Sequence, residues 1–233
     1  MSERVCVVTG VGPGTGSALA RRFAREGYRV AMLARNAERL AETEKALPGT
    51  RAFAVDVADF DAYRATLEDV RRELGTPTVL LNNAVAGGFG PFDDVTPEIL
   101  EERFRVNVSS FLVAAKALAP GMIEAGGGAI IATGNTSALR GKANFAGFAP
   151  TKAAQRILAE SMARALGPKG IHVAYVVIDA VIDLAWTRKA FGDRPDDFFI
   201  QPDGIADAVW NLAHQPRSAW TFQLDLRPYA EEW

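Results

Sequence analysis

Cysteine and histidine are scarce in this chain, and their scarcity limits the kinds of site it can build. Among 233 residues there are one cysteine and two histidines. The single cysteine, Cys6, excludes a disulfide within the chain, and its place in an apolar run predicts a buried structural thiol. No group of side chains has the spacing of metal ligands, so we expect no bound metal.

Excess charge and long apolar runs are also lacking. The net charge is −2, from 26 basic and 28 acidic residues, which gives no electrostatic attraction to nucleic acid or to an anionic membrane. The N-terminus offers no secretion signal and no apolar run long enough to cross a bilayer. We therefore predict a soluble, cytoplasmic protein with no nucleic-acid partner and no membrane partner.

What the chain does have is a regular alternation of short β-branched runs and longer helical patterns, with 48% apolar residues. This length suits a single domain over residues 1–233. Strands are predicted near 4–8, 29–34, 51–55, 77–82, 128–133, 171–178 and 220–226. Helices are predicted near 15–26, 37–46, 59–73, 97–125, 150–166 and 203–213.

Several of the predicted strands are apolar on both faces, as at residues 79–81 and 129–131. Such strands are typical of a parallel sheet that helices cover on both sides. Alternation of strands and helices then gives right-handed βαβ units. The sequence therefore predicts an α/β protein with a Rossmann-like, doubly wound parallel sheet of about seven strands in a three-layer αβα arrangement.

Residues 183–202 are the longest stretch without a predicted element, and we expect them to form an active-site lid. This stretch contains the aromatic residues Trp186, Phe191, Phe198 and Phe199. Because these side chains would line the space above the site, they indicate a hydrophobic small-molecule substrate or ligand.

A glycine-rich loop follows the first strand and leads into the first helix. Glycines there allow a tight turn and let backbone N–H groups at the helix N-terminus approach a pyrophosphate. A plain strand-to-helix turn would also use glycines, but the βαβ unit that follows favours a dinucleotide site. The predicted cofactor-binding residues of this loop are Gly10, Gly12, Gly14, Thr15 and Gly16.

The ends of the next two strands indicate which dinucleotide is bound. Ala34 stands where an acidic residue would bind a ribose 2′-hydroxyl, and Arg35 follows it. A guanidinium suits a 2′-phosphate, so NADP(H) is favoured over NAD(H), although Arg35 could instead be a solvated residue at a helix start. Asp56 and Val57 close the third strand; Asp56 could accept from the adenine amino group or cap the helix near Asp59.

Four motifs, in this order, resemble the short-chain dehydrogenase/reductase family along almost the whole chain. Residues 9–16 match the TGxxxGxG loop, and residues 82–85 match the NNAG segment, with Val85 in place of its glycine. Asn107 matches the helix asparagine that organises a catalytic water and the lysine, and Lys152 matches the lysine of the YxxxK motif. The resemblance implies an NAD(P)-dependent oxidoreductase.

The resemblance also implies contacts with the cofactor and with other subunits. Asn83 and Ala84 would lie beside the cofactor, and Lys152 would donate to the nicotinamide ribose unless it is merely a solvated helix residue. The helix over 150–166 and the helix after Asn107 would form a dimer face, so a homodimer or homotetramer is expected.

The residues that perform chemistry in this family are different here. Family members use a tyrosine to protonate the carbonyl oxygen and a serine to hold it, and the matching positions are Phe148 and Asn135. None of the four tyrosines precedes a lysine by four residues, and the nearest serine is Ser137. After the sixth strand, the family's Pro-Gly and its threonine become residues 179–180 (Asp-Ala) and Leu184. Because a benzene ring cannot donate a proton, the standard tyrosine-dependent mechanism is not possible.

These departures leave the source of the proton open. Asn135 keeps an amide donor that could polarise a carbonyl. Asp179 or Asp183 could supply the proton if a desolvated carboxyl stays protonated, or both could be exposed or capping acids. The candidate catalytic positions are therefore Asn107, Asn135, Phe148 and Lys152.

The sequence is compatible with two functions, and it leaves open whether the chain is an enzyme. The first is an NADP(H)-dependent oxidoreductase with a non-standard proton source, acting on a carbonyl, an alcohol or an activated double bond. The second is a catalytically silent protein that senses the cofactor, regulates, or forms heterodimers with an active relative.

Overall fold

Parallel strands form the centre of the molecule in the computed structural model, which describes residues 4–230. The main sheet contains β1 Arg4–Thr9, β2 Tyr28–Ala34, β3 Thr50–Ala54, β4 Pro77–Asn82, β5 Gly128–Asn135, β6 Ile171–Ile178 and β9 Gln223–Leu226. Their order is β3-β2-β1-β4-β5-β6-β9, and every neighbouring pair is parallel. This arrangement confirms the predicted Rossmann-like sheet of seven strands.

Helices connect the strands and cover both faces of the sheet. They are α1 Thr15–Arg25, α2 Ala37–Ala46, α3 Phe60–Leu74, α4 Pro97–Phe104, α5 Ser110–Glu124, α6 Ala149–Leu166, α7 Ala185–Phe191 and α8 Pro202–Ala213. A π-helical turn, Arg105–Ser109, joins α4 to α5. Side chains of Asn36, Asp59 and Thr96 cap α2, α3 and α4, as expected of short polar residues before a helix.

Two apolar cores lie on opposite faces of the sheet. Along β1, Val5 and Val7 belong to the core beneath α3, α5 and α6, whereas Cys6 and Val8 belong to the core beneath α1, α2 and α8. This two-sided burial explains why the strands read as continuous apolar runs. Burial raises the pKa of the Cys6 thiol, in agreement with the predicted structural role.

One long helix in the middle of the chain bears on whether the protein could cross a bilayer. By length and composition alone, the 28-residue helix Pro97–Glu124 is long and apolar enough to do so. In the folded chain, Phe111, Ala114 and Met122 of this helix are fully buried in the core that contacts α3. Packing within the protein therefore accounts for its apolar side chains.

The stretch 183–202 contains regular secondary structure, although none was predicted there. It contains α7 and one strand of a second small sheet, in which β7 Val181–Ile182 pairs in parallel with β8 Phe199–Ile200. Thr187 stabilises the start of α7, since its hydroxyl accepts from the Leu184 N–H at 2.9 Å. The last strand begins at Gln223 rather than near 220, because the chain turns at Pro216, whose carbonyl accepts from Ala219 N at 2.9 Å.

Candidate functional site

The glycine-rich loop after β1 packs directly on the segment that follows β4. Gly10 has φ +69°, and a Cβ there would lie 2.6 Å from Ala84 Cα, so only glycine fits. The Thr9 hydroxyl accepts from the N–H groups of Asn83 and Ala84, both at 3.1 Å. Asn83 Nδ2 donates to the Gly10 carbonyl at 3.0 Å. The structure thus brings the predicted residues Gly10, Asn83 and Ala84 together.

The start of α1 has the features of an anion-binding helix N-terminus. Gly14 occupies the N-cap position, and no side chain caps the helix. The Thr15 hydroxyl is buried and has no hydrogen-bond partner among the described residues, and a Cβ on Gly12 would meet nothing within 4 Å. Gly16 approaches the Gly10 carbonyl too closely for any Cβ. Open N–H groups at such a terminus attract phosphate, so these residues fit a pyrophosphate.

Arg35 lies at the carboxyl end of β2 with an exposed side chain. It makes no ion pair within residues 4–230. The neighbouring Asn36 performs the capping of α2, since its side chain accepts from Arg39 N at 2.8 Å. Arg35 is therefore free of a structural role at the helix start and can meet a phosphate from solvent.

Asp56 and Val57 lie at the end of β3, on the same edge of the sheet. The Asp56 carboxylate accepts from Ala58 N at 2.9 Å, which fixes the turn after the strand. Asp59 caps α3 instead, by accepting from Ala62 N at 3.1 Å, so the capping alternative for Asp56 is wrong. Val57 is buried at 7% exposure, and Asp56 remains exposed. Asp56 can therefore still accept a hydrogen bond from a ligand.

Asn107 lies in the π-helical turn and is completely buried. Its side chain holds Ala86 from both sides, with Oδ1 accepting from Ala86 N and Nδ2 donating to Ala86 O, each at 2.9 Å. Nδ2 also donates to the Thr151 hydroxyl at 2.8 Å. Asn107 thus fastens the segment after β4 to the first turn of α6. Its amide group is fully used in this position and does not contact the open cleft.

Lys152 is buried in α6 at 2% exposure, which excludes the alternative of a solvated helix lysine. Its ammonium donates to the Thr133 carbonyl at 3.1 Å and to Gln155 Oε1 at 2.5 Å. Burial lowers the pKa of Lys152 to about 7. Since an ammonium has three N–H donors, one remains for a ligand.

Gln155 is a site residue that the sequence reading missed. It is fully buried, and its Nε2 donates to the Asn107 carbonyl at 2.7 Å while its Oε1 accepts from Lys152. The Tyr175 hydroxyl also donates to Oε1, at 3.4 Å. The available signal was its position three residues after Lys152, which puts both polar side chains on one face of α6. Gln155 links Lys152 to Asn107 through its side-chain amide.

Phe148 stands four residues before Lys152, and its ring is buried at 5% exposure. The ring faces the segment after β4, where a Cβ on Gly87 would lie 3.7 Å from it. Phe89 contacts it edge-on with centroids 6.5 Å apart, and Phe89 in turn contacts Phe145 at 4.8 Å. We call Phe89, Phe145 and Phe148 the phenyl cluster. It presents carbon and no proton donor where the family resemblance implies a hydroxyl.

Asn135 ends β5, on the same edge of the sheet as the phenyl cluster. Its Oδ1 accepts from Ser137 N at 3.1 Å, and its NH2 group has no hydrogen-bond partner among residues 4–230. Ser137 itself is buried at 6% exposure. Asn135 can therefore donate to a ligand oxygen, as predicted for a residue that polarises a carbonyl.

The two acids considered as proton donors are engaged with cations. Asp183 forms a bidentate pair with Arg188, with Oδ1 2.6 Å from Nε and Oδ2 2.8 Å from Nη2, and this hydrogen bonding lowers the pKa of Asp183 to about 2. Asp179 lies 3.7 Å from Arg140 and 3.9 Å from Arg227. The hypothesis that Asp183 stays protonated is wrong, because Arg188 stabilises its charged form.

Leu184, between β7 and α7, covers the glycine-rich loop. Its side chain lies so close to Gly14 that a Cβ on that glycine would collide with it. Beside this contact is a cavity of 520 Å³ whose wall includes Arg21, Asp183 and Gln201. Leu184 therefore lies over the loop, and α7, which follows it, is anchored by the Asp183–Arg188 pair.

A family profile described as short chain dehydrogenase matches residues 4–187 of this chain. L-xylulose reductase of Mus musculus is 32% identical over 219 residues, which span 90% of this chain and 88% of the reductase. D-threitol dehydrogenase of Mycolicibacterium smegmatis is 29% identical over 226 residues, spanning 91% and 86% of the two chains.

Solved structures give the same result for the fold. A metagenomic short-chain oxidoreductase in complex with NADP superposes with a TM-score of 0.85 at 30% identity, covering 98% of both chains. A short chain oxidoreductase of Pseudomonas aeruginosa, bound to NADPH and described as containing an atypical catalytic center, has a TM-score of 0.88 at 27% identity. That match covers 100% of this chain and 98% of the other.

Proposed function

This chain belongs to the short-chain dehydrogenase family, and we propose that it is an NADP(H)-dependent oxidoreductase that works without the family's serine–tyrosine pair. Its substrate is a small molecule with a carbonyl, an alcohol or an activated double bond. One observation carries the proposal: an open, anion-binding loop lies at the same edge of the sheet as the buried Lys152–Gln155–Asn107 chain.

NADP(H) is the cofactor that the residues favour over NAD(H). Ala34 offers no carboxylate to a ribose 2′-hydroxyl, and the exposed Arg35 beside it suits a 2′-phosphate. Related short-chain oxidoreductases are bound to NADP and NADPH in their structures, which supports the same preference. Gly10, Gly12, Gly14, Thr15 and Gly16 would hold the pyrophosphate, and Asp56, Val57, Asn83 and Ala84 would lie along the adenosine and ribose.

The bound cofactor supplies or accepts a hydride at its nicotinamide ring. Lys152 would donate its remaining N–H to the nicotinamide ribose. Asn135 donates its amide N–H to the substrate oxygen. Asn107 touches neither ligand; it is a positioning residue that holds the segment after β4 against α6.

Loss of the tyrosine should slow the reaction without abolishing it. General acid catalysis contributes about 10²–10⁴-fold, while positioning of the two reactants contributes independently. Phe148 offers no proton to the substrate, because its ring carries no hydroxyl. We therefore expect slow turnover, with the proton arriving from solvent after hydride transfer has built negative charge beside Asn135.

The decisive experiment is the paired variant Asn135→Ser with Phe148→Tyr, assayed for NADPH oxidation over a panel of ketones, aldehydes and enones. The two changes restore the family's donor and its partner, so activity should rise by about 10²–10⁴-fold over the wild type. Phe145→Tyr is the matched control, because it adds a hydroxyl to a neighbouring ring that is not four residues before Lys152.

Two outcomes would contradict this proposal. Wild-type chain that binds NADPH but oxidises none above background is not an oxidoreductase. A paired variant no faster than the wild type and the Phe145→Tyr control would mean that the cleft no longer supports hydride transfer.

A cofactor sensor or regulatory partner is the second candidate. It is favoured by the packing of Leu184 against Gly14 and by the absence of the tyrosine hydroxyl at Phe148, which together alter the nicotinamide side of the cleft. Calorimetry with NADPH and NADP⁺ tests it. Tight, redox-selective binding without turnover would favour the sensor, and no binding of either form would exclude it.

We also propose a cytoplasmic homodimer or homotetramer. The exposed apolar side chains of Leu112 and Ile123 on α5 and Ile157 on α6 suit a subunit interface on these helices. Light scattering at several concentrations tests the assembly. The triple change of these three residues to Glu should give monomers, and an unchanged mass would contradict the assigned interface.

A further inference from the structure

We propose that the substrate of this site is a flat, apolar carbonyl compound, such as an aromatic ketone, and not a polyhydroxylated sugar. The inference rests on the proposed function and narrows it to a substrate class. It is drawn from the phenyl cluster and from the small number of polar groups that accompany it.

The phenyl cluster is assembled from three separate segments of the chain. Phe89 lies in the loop after β4, Phe145 in the turn before α6, and Phe148 at the N-cap of α6. Phe89 contacts both other rings, Phe145 at 4.8 Å and Phe148 at 6.5 Å between centroids. Phe148 is buried, whereas Phe89 keeps 67% of its surface exposed. The exposed ring of Phe89 is therefore the member of the cluster that can contact a ligand.

Exposed apolar side chains extend the cluster along the same edge. Val85 is 56% exposed after β4, and Leu139 is 51% exposed after β5. Leu139, Phe145 and Ala149 also line a cavity of 340 Å³. Large apolar side chains rarely stay exposed together unless they bind something, so the edge as a whole suits an apolar body.

Apart from Ser137, Arg140 and Lys142 in the wall of that cavity, polar groups on this edge are few and mostly occupied. Lys152, Gln155 and Asn107 are buried and bonded to one another or to backbone carbonyls. The NH2 group of Asn135, which has no partner among the described residues, is left to donate to one substrate oxygen. A ketone needs one such donor, whereas a ketose would bring several hydroxyl groups against phenyl rings. Each desolvated hydroxyl without a partner should cost about tenfold in affinity.

Geometry of the rings further favours a planar ligand. Edge-to-face and offset contacts between aromatic rings add attraction beyond simple burial of apolar area. A planar aromatic ketone would lie against the exposed ring of Phe89, and its oxygen would accept from Asn135. Such a substrate differs from those that the names L-xylulose reductase and D-threitol dehydrogenase indicate for two relatives.

Calorimetry in the presence of saturating NADP⁺ tests the inference apart from turnover, because a ketone cannot be reduced by the oxidised cofactor. The probes are 2-acetylnaphthalene and L-xylulose, each titrated into the full chain with and without NADP⁺. We expect 2-acetylnaphthalene to bind at least tenfold more tightly than L-xylulose. Equal binding, tighter binding of the sugar, or no binding of either probe would overturn the proposal.

Variants of the exposed rings test whether 2-acetylnaphthalene binds at the phenyl cluster. Phe89→Ala should weaken the binding of 2-acetylnaphthalene about tenfold, because a ring that contacts the ligand is lost. Since Phe89 is mostly exposed, the variant should still fold. Phe92→Ala is the matched control, because Phe92 is 74% exposed and contacts no other aromatic ring within residues 4–230. An unchanged affinity in Phe89→Ala, or an equal loss in Phe92→Ala, would overturn the assignment.

The same titrations separate this inference from the proposed function. If NADP⁺ does not bind, the proposed function fails, and the titration without cofactor still measures whether the cluster selects the aromatic ketone. If NADP⁺ binds and the sugar is preferred, the oxidoreductase assignment stands and the substrate class is wrong.

Discussion

The glycine-rich loop after β1 and the edge formed by Asn135, Phe148 and Lys152 lie at the same end of the sheet, yet they tolerate change differently. In the loop, backbone passes so close to backbone at Gly10 that any side chain would collide with Ala84. On the other edge, Asn135 and Phe148 make fewer such close contacts: Asn135 accepts one hydrogen bond from Ser137 N, and the ring of Phe148 lies 3.7 Å from where a Cβ on Gly87 would stand. The loop matches the family motif, whereas the residues at positions 135 and 148 differ from it.

Lys152 lies on the edge with Asn135 and Phe148, but buried hydrogen bonds constrain its side chain. It is tied to Thr133 and Gln155 beneath the cleft, and Gln155 is tied to Asn107. Removing one member would leave the others buried without partners, which costs about 1–3 kcal/mol for each group. This interdependence explains why the lysine remains although the tyrosine is gone.

The largest effect is expected in the loop, from Gly10→Ala. The new Cβ would lie 2.6 Å from Ala84 Cα at a φ of +69°, so the unfolding free energy should fall by roughly 3 kcal/mol or more and NADPH binding should be lost. Urea denaturation and NADPH fluorescence measure the two effects.

Gly12→Ala is the control for that prediction, because its Cβ would meet nothing within 4 Å. It should keep the wild-type stability and affect only cofactor affinity. If Gly10→Ala proves as stable as Gly12→Ala, the glycine-rich loop does not restrict substitution more than the edge formed by Asn135, Phe148 and Lys152.

An intermediate effect is expected from Lys152→Met, through the pH dependence of stability. The pKa of Lys152 is about 7 when folded and 10.5 in its ordinary state, so the unfolded chain binds more protons between these values. Wild-type stability should therefore rise with pH from 7 towards 10 by up to about 1.4 kcal/mol per pH unit. The variant should lack this rise.

The measurement is urea unfolding of both proteins at several pH values between 6 and about 10. Lys116→Met serves as the control, because Lys116 lies exposed on α5 and should leave the wild-type slope intact. Parallel curves for the wild type and Lys152→Met would show that Lys152 is charged in the folded state.

The smallest effect is expected in the lid, from Arg188→Gln. Arg188 holds the pKa of Asp183 at about 2, so the pair stabilises the fold above the ordinary carboxyl pKa and loses its effect as pH falls towards 2. Since the pair is partly exposed, the variant should be only slightly less stable than the wild type at pH 7, and the difference should be smaller at pH 3. Denaturation at both pH values tests this, and a loss that does not shrink at pH 3 would contradict it.

Much of the cofactor half could be predicted from the sequence because its signals are local. Strand, glycine-rich loop and helix are contiguous, and Arg35 follows its strand directly. The catalytic half could be predicted only in part. Phe148 and Asn135 were found by their distance from Lys152 along the chain, but Gln155 was missed, because a glutamine inside a helix has no motif of its own.

By itself, the sequence determined the parallel sheet, the loop that must be glycine, and the absence of a tyrosine four residues before Lys152. Tertiary structure alone decided that Lys152 is buried against Gln155, that Leu184 covers Gly14, and that Phe89 and Phe145 join Phe148. The reason is physical. Backbone conformation and apolar periodicity are set by neighbours along the chain, whereas burial, pKa and ring contacts depend on segments that only folding brings together.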